Sequence, residues 1–385
     1  MTTKIVGGST TPQKMGDTLF PYMEEYMVRR FLLGMLCLLT VLTIVVSGCG
    51  STTSNKNESS SAQGNQLVIT DSVGRKITLN GAVSRAVIVN AYNAELINAI
   101  GAMDQVVGVD YYIYQDQEGF KHRFTKDMLI GQSKGSDLNY EKIIELKPQA
   151  VILTSNYDWQ DAEKKLKPFG IEVINVDSYY TDKFADNVRL LGKIFGKENN
   201  AKEFSDYFMS KLDYIDKQLA NVPRRSVYYE YRTAGRTTVP GDYFYEMVNL
   251  AHGDNIFKDA KNNTVDIESV VEKNPKYIVK VSDANVYSSY VPPTEAEHKH
   301  IFEEIGARPG WDQIEAVKNK KVLLLSHYVH GGASKLVGTM YIAKFLYPEY
   351  LPDLHPENVF QDWLTKYQHL DYIAGHTYPA YKLGE

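Results

Sequence analysis

From Gln66 onward, short apolar runs alternate with stretches of helical spacing, and that alternation restricts the fold more than any other feature of the chain. Ala86-Val87-Ile88-Val89, Val106-Val107-Gly108-Val109, Ala150-Val151-Ile152-Leu153 and Glu172-Val173-Ile174-Asn175-Val176 read as buried strands. Between them, Ala94 to Ile100, Tyr140 to Leu146 and Asp161 to Phe169 read as helices, closed by Gly101, Pro148 and Gly170. Continuous apolar strands separated by helices imply parallel β-α units, because a parallel sheet is covered on both faces. A hairpin is expected first, pairing Leu67–Thr70 with Lys76–Leu79 across the Gly-containing loop Asp71–Arg75.

The alternation then breaks. Phe184, Val188, Leu191 and Phe195 keep helical spacing up to Gly196, and Phe204, Phe208, Leu212, Ile215 and Leu219 restart it in another phase. No Gly or Pro interrupts Ala201 to Leu219, so a helix of about 30 Å is predicted, long enough to cross between domains. Pro223 ends it. A second alternating section follows: strands at Ser226–Tyr229, Tyr277–Val281 and Val322–Leu325, helices at Asp242–Leu250 and Gly338–Leu346. At 385 residues the chain exceeds what one core usually supports. The expected architecture is α/β, with an N-terminal lobe over 66–198, a bridging helix over 199–222 and a C-terminal lobe over 223–385.

The N-terminal region carries an address. Arg29 and Arg30 precede an apolar run from Phe31 to Val46, and Ser47-Gly48-Cys49 follows. A basic pair, a run too short to span a bilayer and small residues before a cysteine have the layout of a lipoprotein signal. Residues 1–49 are therefore read as an extension plus signal peptide, with Met27 as its conventional start and Cys49 as the lipidated residue. Cys37 lies inside the apolar run, so no disulfide is expected in the mature protein. The polar stretch 50–65 reads as a flexible tether. One lipid-bearing terminus would hold the protein at a membrane surface without spanning it.

Net charge is -5, which gives no footprint for nucleic acid. The 28 Tyr outnumber 14 Phe and 3 Trp, so most rings carry a hydroxyl, as suits a partly wet binding surface. The chain lacks a Gly-rich phosphate loop before a helix, a Gly-x-Ser-x-Gly elbow and a His-Glu-x-x-His motif, so binding without catalysis is expected.

Ile69-Thr70-Asp71-Ser72-Val73-Gly74-Arg75, Leu146-Lys147-Pro148-Gln149-Ala150-Val151-Ile152, Gly253-Asp254-Asn255-Ile256 and Asn274-Pro275-Lys276-Tyr277-Ile278-Val279 stand in a specific order. Together with Trp311 and Ala316-Val317-Lys318-Asn319, this order resembles the solute-binding proteins of ABC importers for iron-siderophores, haem and cobalamin. The resemblance spans most of residues 66–350. It implies two Rossmann-like lobes joined by a single long α-helix, with the ligand cleft between them. It also implies a monomer that takes no cofactor and hands its ligand to a permease and its ATPase. One exposed acid per lobe meets the permease in that family, and Glu163 and Glu268 match those positions.

Ligands of open parallel sheets bind beyond the carboxyl ends of the strands. The candidates there are Tyr92 and Asn93, Tyr112, Tyr157 and Trp159 in the first lobe, then Tyr231, Arg232, Arg236, Tyr287, Tyr328 and His330 in the second. Several rings can cover an apolar ligand face, and forked guanidinium groups suit carboxylate or catecholate oxygens. An iron-siderophore complex is therefore expected, with cobalamin and haem as alternatives. His327 or His330 is a candidate direct ligand to the metal centre, since neutral imidazole suits iron or cobalt. His298 and His300 lie in a charged stretch read as a solvated helix face. Two rival classes share such lobes, a chelatase-like enzyme and a surface receptor.

Overall fold

The computed structural model describes residues 66–131, 137–282 and 290–384. Cys49, the segments 1–49 and 50–65, and Tyr287 lie outside them. The chain opens with β1 (Leu67–Thr70) and β2 (Lys76–Leu79), the expected antiparallel hairpin, with Leu67 opposite Leu79. Gly74 turns it at φ +83, a region that side chains rarely adopt. The buried Asp71 carboxylate accepts from the amides of Val73, Arg75 and Asn175, which ties the turn to the sheet beside it.

The first lobe then runs β3 (Ala86–Ile88), α1 (Ala91–Ala99), β4 (Val106–Val109), α2 (Tyr111–Gln115), α3 (Tyr140–Leu146), β5 (Ala150–Leu153), α4 (Trp159–Leu166) and β6 (Glu172–Asn175). The strands form one parallel sheet in the order β4-β3-β5-β6. Successive strand side chains point to opposite faces. Val87, Val151 and Leu153 therefore pack with Ile143, Ala162 and Leu166 of α3 and α4, while Ala86, Ile88 and Ile152 face the core shared with α1. Burial on both faces explains why these strands show no polar alternation.

Two helices carry the chain out of this lobe. α5 (Phe184–Phe195) stops at Gly196, φ +65, and α6 (Glu198–Leu219) follows with 22 residues, about 33 Å of helix. Its buried face repeats as Ala201, Phe204, Phe208, Leu212, Ile215 and Leu219, the spacing of a core-facing stripe. Phe204 and Phe208 meet Phe184 edge-on at 5.4 and 5.9 Å.

The second lobe comprises β7 (Arg225–Glu230), α7 (Tyr245–Leu250), β8 (Gly253–Asn255), α8 (Ile267–Lys273), β9 (Tyr277–Val281) and α9 (Glu295–Ala307). α10 (Glu315–Lys318), β10 (Val322–Leu325), α11 (His327–His330), α12 (Lys335–Leu346), α13 (Pro356–Asp362) and β11 (Thr377–Tyr378) complete it. Its sheet runs β11-β10-β9-β7-β8, parallel except for the β11 edge. α12 is buried nearly all round and forms the centre of this lobe. The α/β class with parallel sheets is thus the expected one. β8 and β11, of three and two residues, were not anticipated.

Two local expectations change. The helix predicted from Asp242 starts at Tyr245, leaving Tyr243 and Phe244 in the preceding turn. The stretch around His298 is not wholly solvated: His298 is buried on α9, its Nε2 lies 3.0 Å from the Gly375 carbonyl, and its ring stacks on Tyr378. Between α13 and β11 the chain leaves its own sheet. Trp363 and Tyr367 pack against Phe208 and Phe204 of α6, at 5.9 and 4.7 Å between rings. Gln368 then bonds α1 of the first lobe, donating to the Glu95 carbonyl at 3.1 Å and accepting from Asn98 at 3.2 Å.

Candidate functional site

The carboxyl end of the first sheet is set by a network of short bonds. Asn90 holds φ 88, caps α1 by accepting from the Tyr92 amide, and donates its own amide to Asp110 at 2.7 Å. The other Asp110 oxygen caps α2 through the Ile113 amide at 2.9 Å. One buried carboxylate thus fixes two loops and sets Tyr92 on the first turn of α1. Asn93, fully buried, accepts from Ser178 Oγ at 2.5 Å and donates to the Val89 carbonyl. It welds α1 to the loop after β6 and has no exposed surface to offer a ligand.

On the second lobe the loop after β7 carries Tyr231 and Arg232. The guanidinium lies over the Tyr231 ring at 4.7 Å and donates to its hydroxyl at 2.5 Å. Lys280 Nζ holds this loop from below, donating to the carbonyls of Tyr231 and Arg232 at 3.1 and 3.2 Å. Lys280 in turn pairs with Glu230 at 2.9 Å, and Arg308 reaches the same carboxylate with two bonds of 2.8 and 2.9 Å. Beside the loop, His330 is fully buried, with its ring 4.1 Å from Phe244 and 5.1 Å from Tyr231, and its Nε2 bonded to the Tyr229 hydroxyl. Burial keeps its imidazole neutral, well below its ordinary range, and its Nδ1 meets no hydrogen-bond partner among the described residues. His327 is lowered to about 4, by burial and then by the Arg232 charge. Both rings are therefore neutral at physiological pH, the form in which imidazole donates a lone pair.

The two lobes meet around these groups. Burial raises the Tyr92 hydroxyl to about 12; the Gly332 amide and the Arg232 charge work against that rise, and Glu95 and Tyr231 stand beside them. Glu95, one helical turn on, accepts from the Ala333 amide at 2.6 Å. Burial lifts its carboxyl to about 8 in spite of that amide. Lys335, at the start of α12 and 2% exposed, donates to the carbonyls of Tyr179 in the first lobe and Tyr243 in the second. Burial brings its ammonium down to about 7, against the pull of Glu95, Asp242 and Asp182. Tyr243 touches Tyr179 and Tyr180 at 4.6 and 5.8 Å between ring centres, an aromatic trio spanning the junction.

The strand-end candidates therefore divide. Tyr92, Tyr231, Arg232, His327 and His330 come together. Tyr112 and Tyr157 sit as neighbours on the first-lobe side, where burial and then Asp110 push the Tyr157 hydroxyl up. Tyr328 is 5% exposed and serves packing, with Trp363 Nε1 donating to its hydroxyl and His376 and Phe360 against its ring. Trp159 is turned the other way: the Arg75 guanidinium of the β1–β2 hairpin covers it at 4.2 Å. Arg236 is also displaced from the group, because Tyr231 N bonds its carbonyl, its backbone bridges Thr264, and its side chain is exposed. Of the two acids, Glu268 stands exposed on the first turn of α8, whereas Glu163 is held by Arg75 at 3.0 Å.

Glu95, Lys335, Tyr179, Tyr180 and Tyr243 were not anticipated. Tyr179 and Tyr180 follow a strand as the other candidates do, and Lys335 follows Gly331-Gly332 within five residues of His330, so the signals were present. Among the described residues no three of His, Cys, Asp and Glu are placed to hold a bare metal ion, and no helix is long and apolar enough to cross a membrane.

Comparison with known proteins adds a family context. A family described as periplasmic binding protein matches residues 87–329. The chain is 25% identical over 332 residues to YvrC of Bacillus subtilis, an uncharacterized ABC transporter substrate-binding lipoprotein, covering 82% of this chain and 97% of that one. It is 24% identical to the molybdate-binding protein MolA of Haemophilus influenzae, over 79% of this chain and 92% of that one. Among solved structures, the TroA-like periplasmic binding protein FepB of Veillonella parvula superposes with a TM-score of 0.68 at 23% identity, covering 81% of this chain and 99% of that one.

Proposed function

The chain belongs to the periplasmic binding protein family, and from that premise we propose that it captures an anionic metal chelate of the siderophore type outside the cytoplasm and delivers it to an ABC importer. The observation that carries this reading is the meeting of Tyr92 with Tyr231, Arg232 and two neutral imidazoles across the lobe junction. Rings supply area for an apolar ligand face, and a guanidinium stacked on a tyrosine brings a forked positive charge to the same edge, which suits anionic oxygens. The one hydroxyl held by an imidazole in the cluster, Tyr229 on His330, is fully buried behind the Tyr231 loop, which favours binding over turnover. Glu268 is the better placed acid for the permease, and Cys49 the anchor.

A second reading, a small oxyanion, is supported by the buried Lys335 ammonium and by the similarity to MolA. Calorimetric titration of the detergent-solubilised full chain with a ferric tris-catecholate, haemin, cobalamin and molybdate separates these. The proposal expects tightest binding of the ferric tris-catecholate, weakened roughly 10- to 100-fold by Arg232→Ala and less than about twofold by Arg236→Ala. Binding of molybdate or cobalamin alone would overturn it.

A further inference from the structure

Two polar contacts cross the lobe junction in opposite directions. Glu95, on α1 of the first lobe, accepts from the Ala333 amide of the second lobe at 2.6 Å. Gly332, at φ +66, permits that approach, since a Cβ there would stand 2.3 Å from Glu95 Oε2. Two residues beyond Ala333, Lys335 of the second lobe donates back to the Tyr179 carbonyl of the first. Its ammonium lies 5.4 Å from the Tyr92 ring and 5.5 Å from the Phe244 ring, so the contacts run through the aromatic lining rather than beside it.

The chemistry of each contact favours its persistence. The Ala333 amide, just ahead of the Ser334 N-cap of α12, has the Glu95 carboxyl oxygen as its acceptor at 2.6 Å, and a buried amide that loses its acceptor is costly. A lysine that is 2% exposed is costly to hold unless its donors are met, and here two carbonyls from opposite lobes meet them. The two halves also share one short segment, Gly332 to Lys335, so a shift that breaks one displaces the other.

We propose that Glu95 and Lys335 form a reciprocal latch that fixes the spacing of the lobes, and that a ligand must part this latch to occupy the space between Tyr92 and the Tyr231–Arg232 edge. The latch rests on the inter-lobe cleft described above and not on the identity of the ligand.

Hydrogen-exchange mass spectrometry of the detergent-solubilised full chain, with no ligand added, tests it at both ends. The readouts are the Ala333 amide on one side and the amides of Tyr180 and Lys183, behind the Tyr179 carbonyl, on the other. Glu95→Ala is expected to speed exchange at Ala333 at least tenfold and at Tyr180 and Lys183 at least threefold. Lys335→Met is expected to give the mirror result. Glu95→Gln keeps the shape and an acceptor oxygen, so it falls between wild type and alanine, and it carries the test if the alanine variant does not fold. The latch is overturned if each substitution loosens only its own end, or if Ala333 exchange changes less than twofold. Stopped-flow mixing with the ferric tris-catecholate forms a separate arm. A faster association rate in Glu95→Gln supports the latch and an unchanged one counts against it, whereas failure of that probe to bind wild type strikes only the ligand reading.

Discussion

Glu230 sits under the Tyr231–Arg232 loop with more positive than negative charge around it, and removing the acid should cost far more than removing one of its cations. The carboxylate is 1% exposed and accepts from Arg308 twice, from Lys280, from the Tyr228 hydroxyl at 3.0 Å and from the Gly235 amide at 3.1 Å. Burial alone would raise its carboxyl, but Arg308 and Lys280 hold it below the usual carboxylate range. Glu230→Gln leaves two cations in a low-dielectric site without their buried counter-charge, with only Glu304 acting on Lys280 from the surface side. Breaking a buried pair this way costs about 3–5 kcal/mol. Lys280→Met keeps the volume and leaves Glu230 with its bidentate Arg308, so Glu230 loses one of several donors and the two loop carbonyls lose theirs, at about 1–3 kcal/mol. With about 2.1 cal/mol/K of unfolding entropy per residue over roughly 320 folded residues, 4 kcal/mol corresponds to a Tm drop of about 6 °C when both lobes melt together. Urea unfolding followed by circular dichroism gives the free energies, and calorimetry the Tm. Lys280→Met should in addition weaken ligand binding, because the loop that carries Arg232 loses its tether. Equal costs for the two variants, or less than about 1 kcal/mol for Glu230→Gln, would refute this account of the cluster.

Three further outcomes are expected. His327, His330 and His376 are buried as neutral rings, with His376 lowered to about 3 chiefly by burial; because their folded values lie below the unfolded value of 6.5, stability should be full above that pH and decline as pH falls, by about 2 kcal/mol each for His327 and His376 at pH 5 and further in the same direction for His330, measured by urea unfolding at pH 7 and 5. Arg75→Ala should uncover Trp159 and release Glu163, shifting tryptophan emission to the red, with a stability loss of about 3 kcal/mol, set by the buried Asp71 that loses its bidentate partner and not by the partly exposed Glu163. Phe204→Ala, in the aromatic seam between α5, α6 and Trp363, should cost about 3–5 kcal/mol in urea unfolding without touching a cleft residue.

Most of the fold was legible because its strands are buried on both faces, so Val87, Ile152 and Leu323 left unbroken apolar runs, and because α6 holds a stripe from Ala201 to Leu219 with no breaker inside it. β8 and β11 are too short to carry a period, and β11 exists only by pairing with β10. The site was legible at the level of which loops and not of which face. The rule that ligands gather beyond strand ends places Trp159 and Tyr157 alike, yet only tertiary contact with Arg75 decides that Trp159 turns to the hairpin. Arg236 was misplaced because a backbone bridge to Thr264 sets its direction, and such a bridge has no local signature. Lys335 escaped for the opposite reason: a lysine reads as solvated, and only two carbonyls from separate lobes make its burial tolerable.

Gln368 adds a further tie between the halves, beside the long helix and the contacts of Glu95 and Lys335. A structure pinned along one rod is free to flex about any axis through it, but one also laced at Glu95 and Asn98 has lost most of those freedoms. What is left is a slight twist of one half against the other, enough to part the contacts of Glu95 and Lys335 but too small to sort cargo by size. Discrimination then falls to the side chains that greet the guest, and removing the last twenty or so residues should widen what the protein accepts before it weakens how tightly it holds.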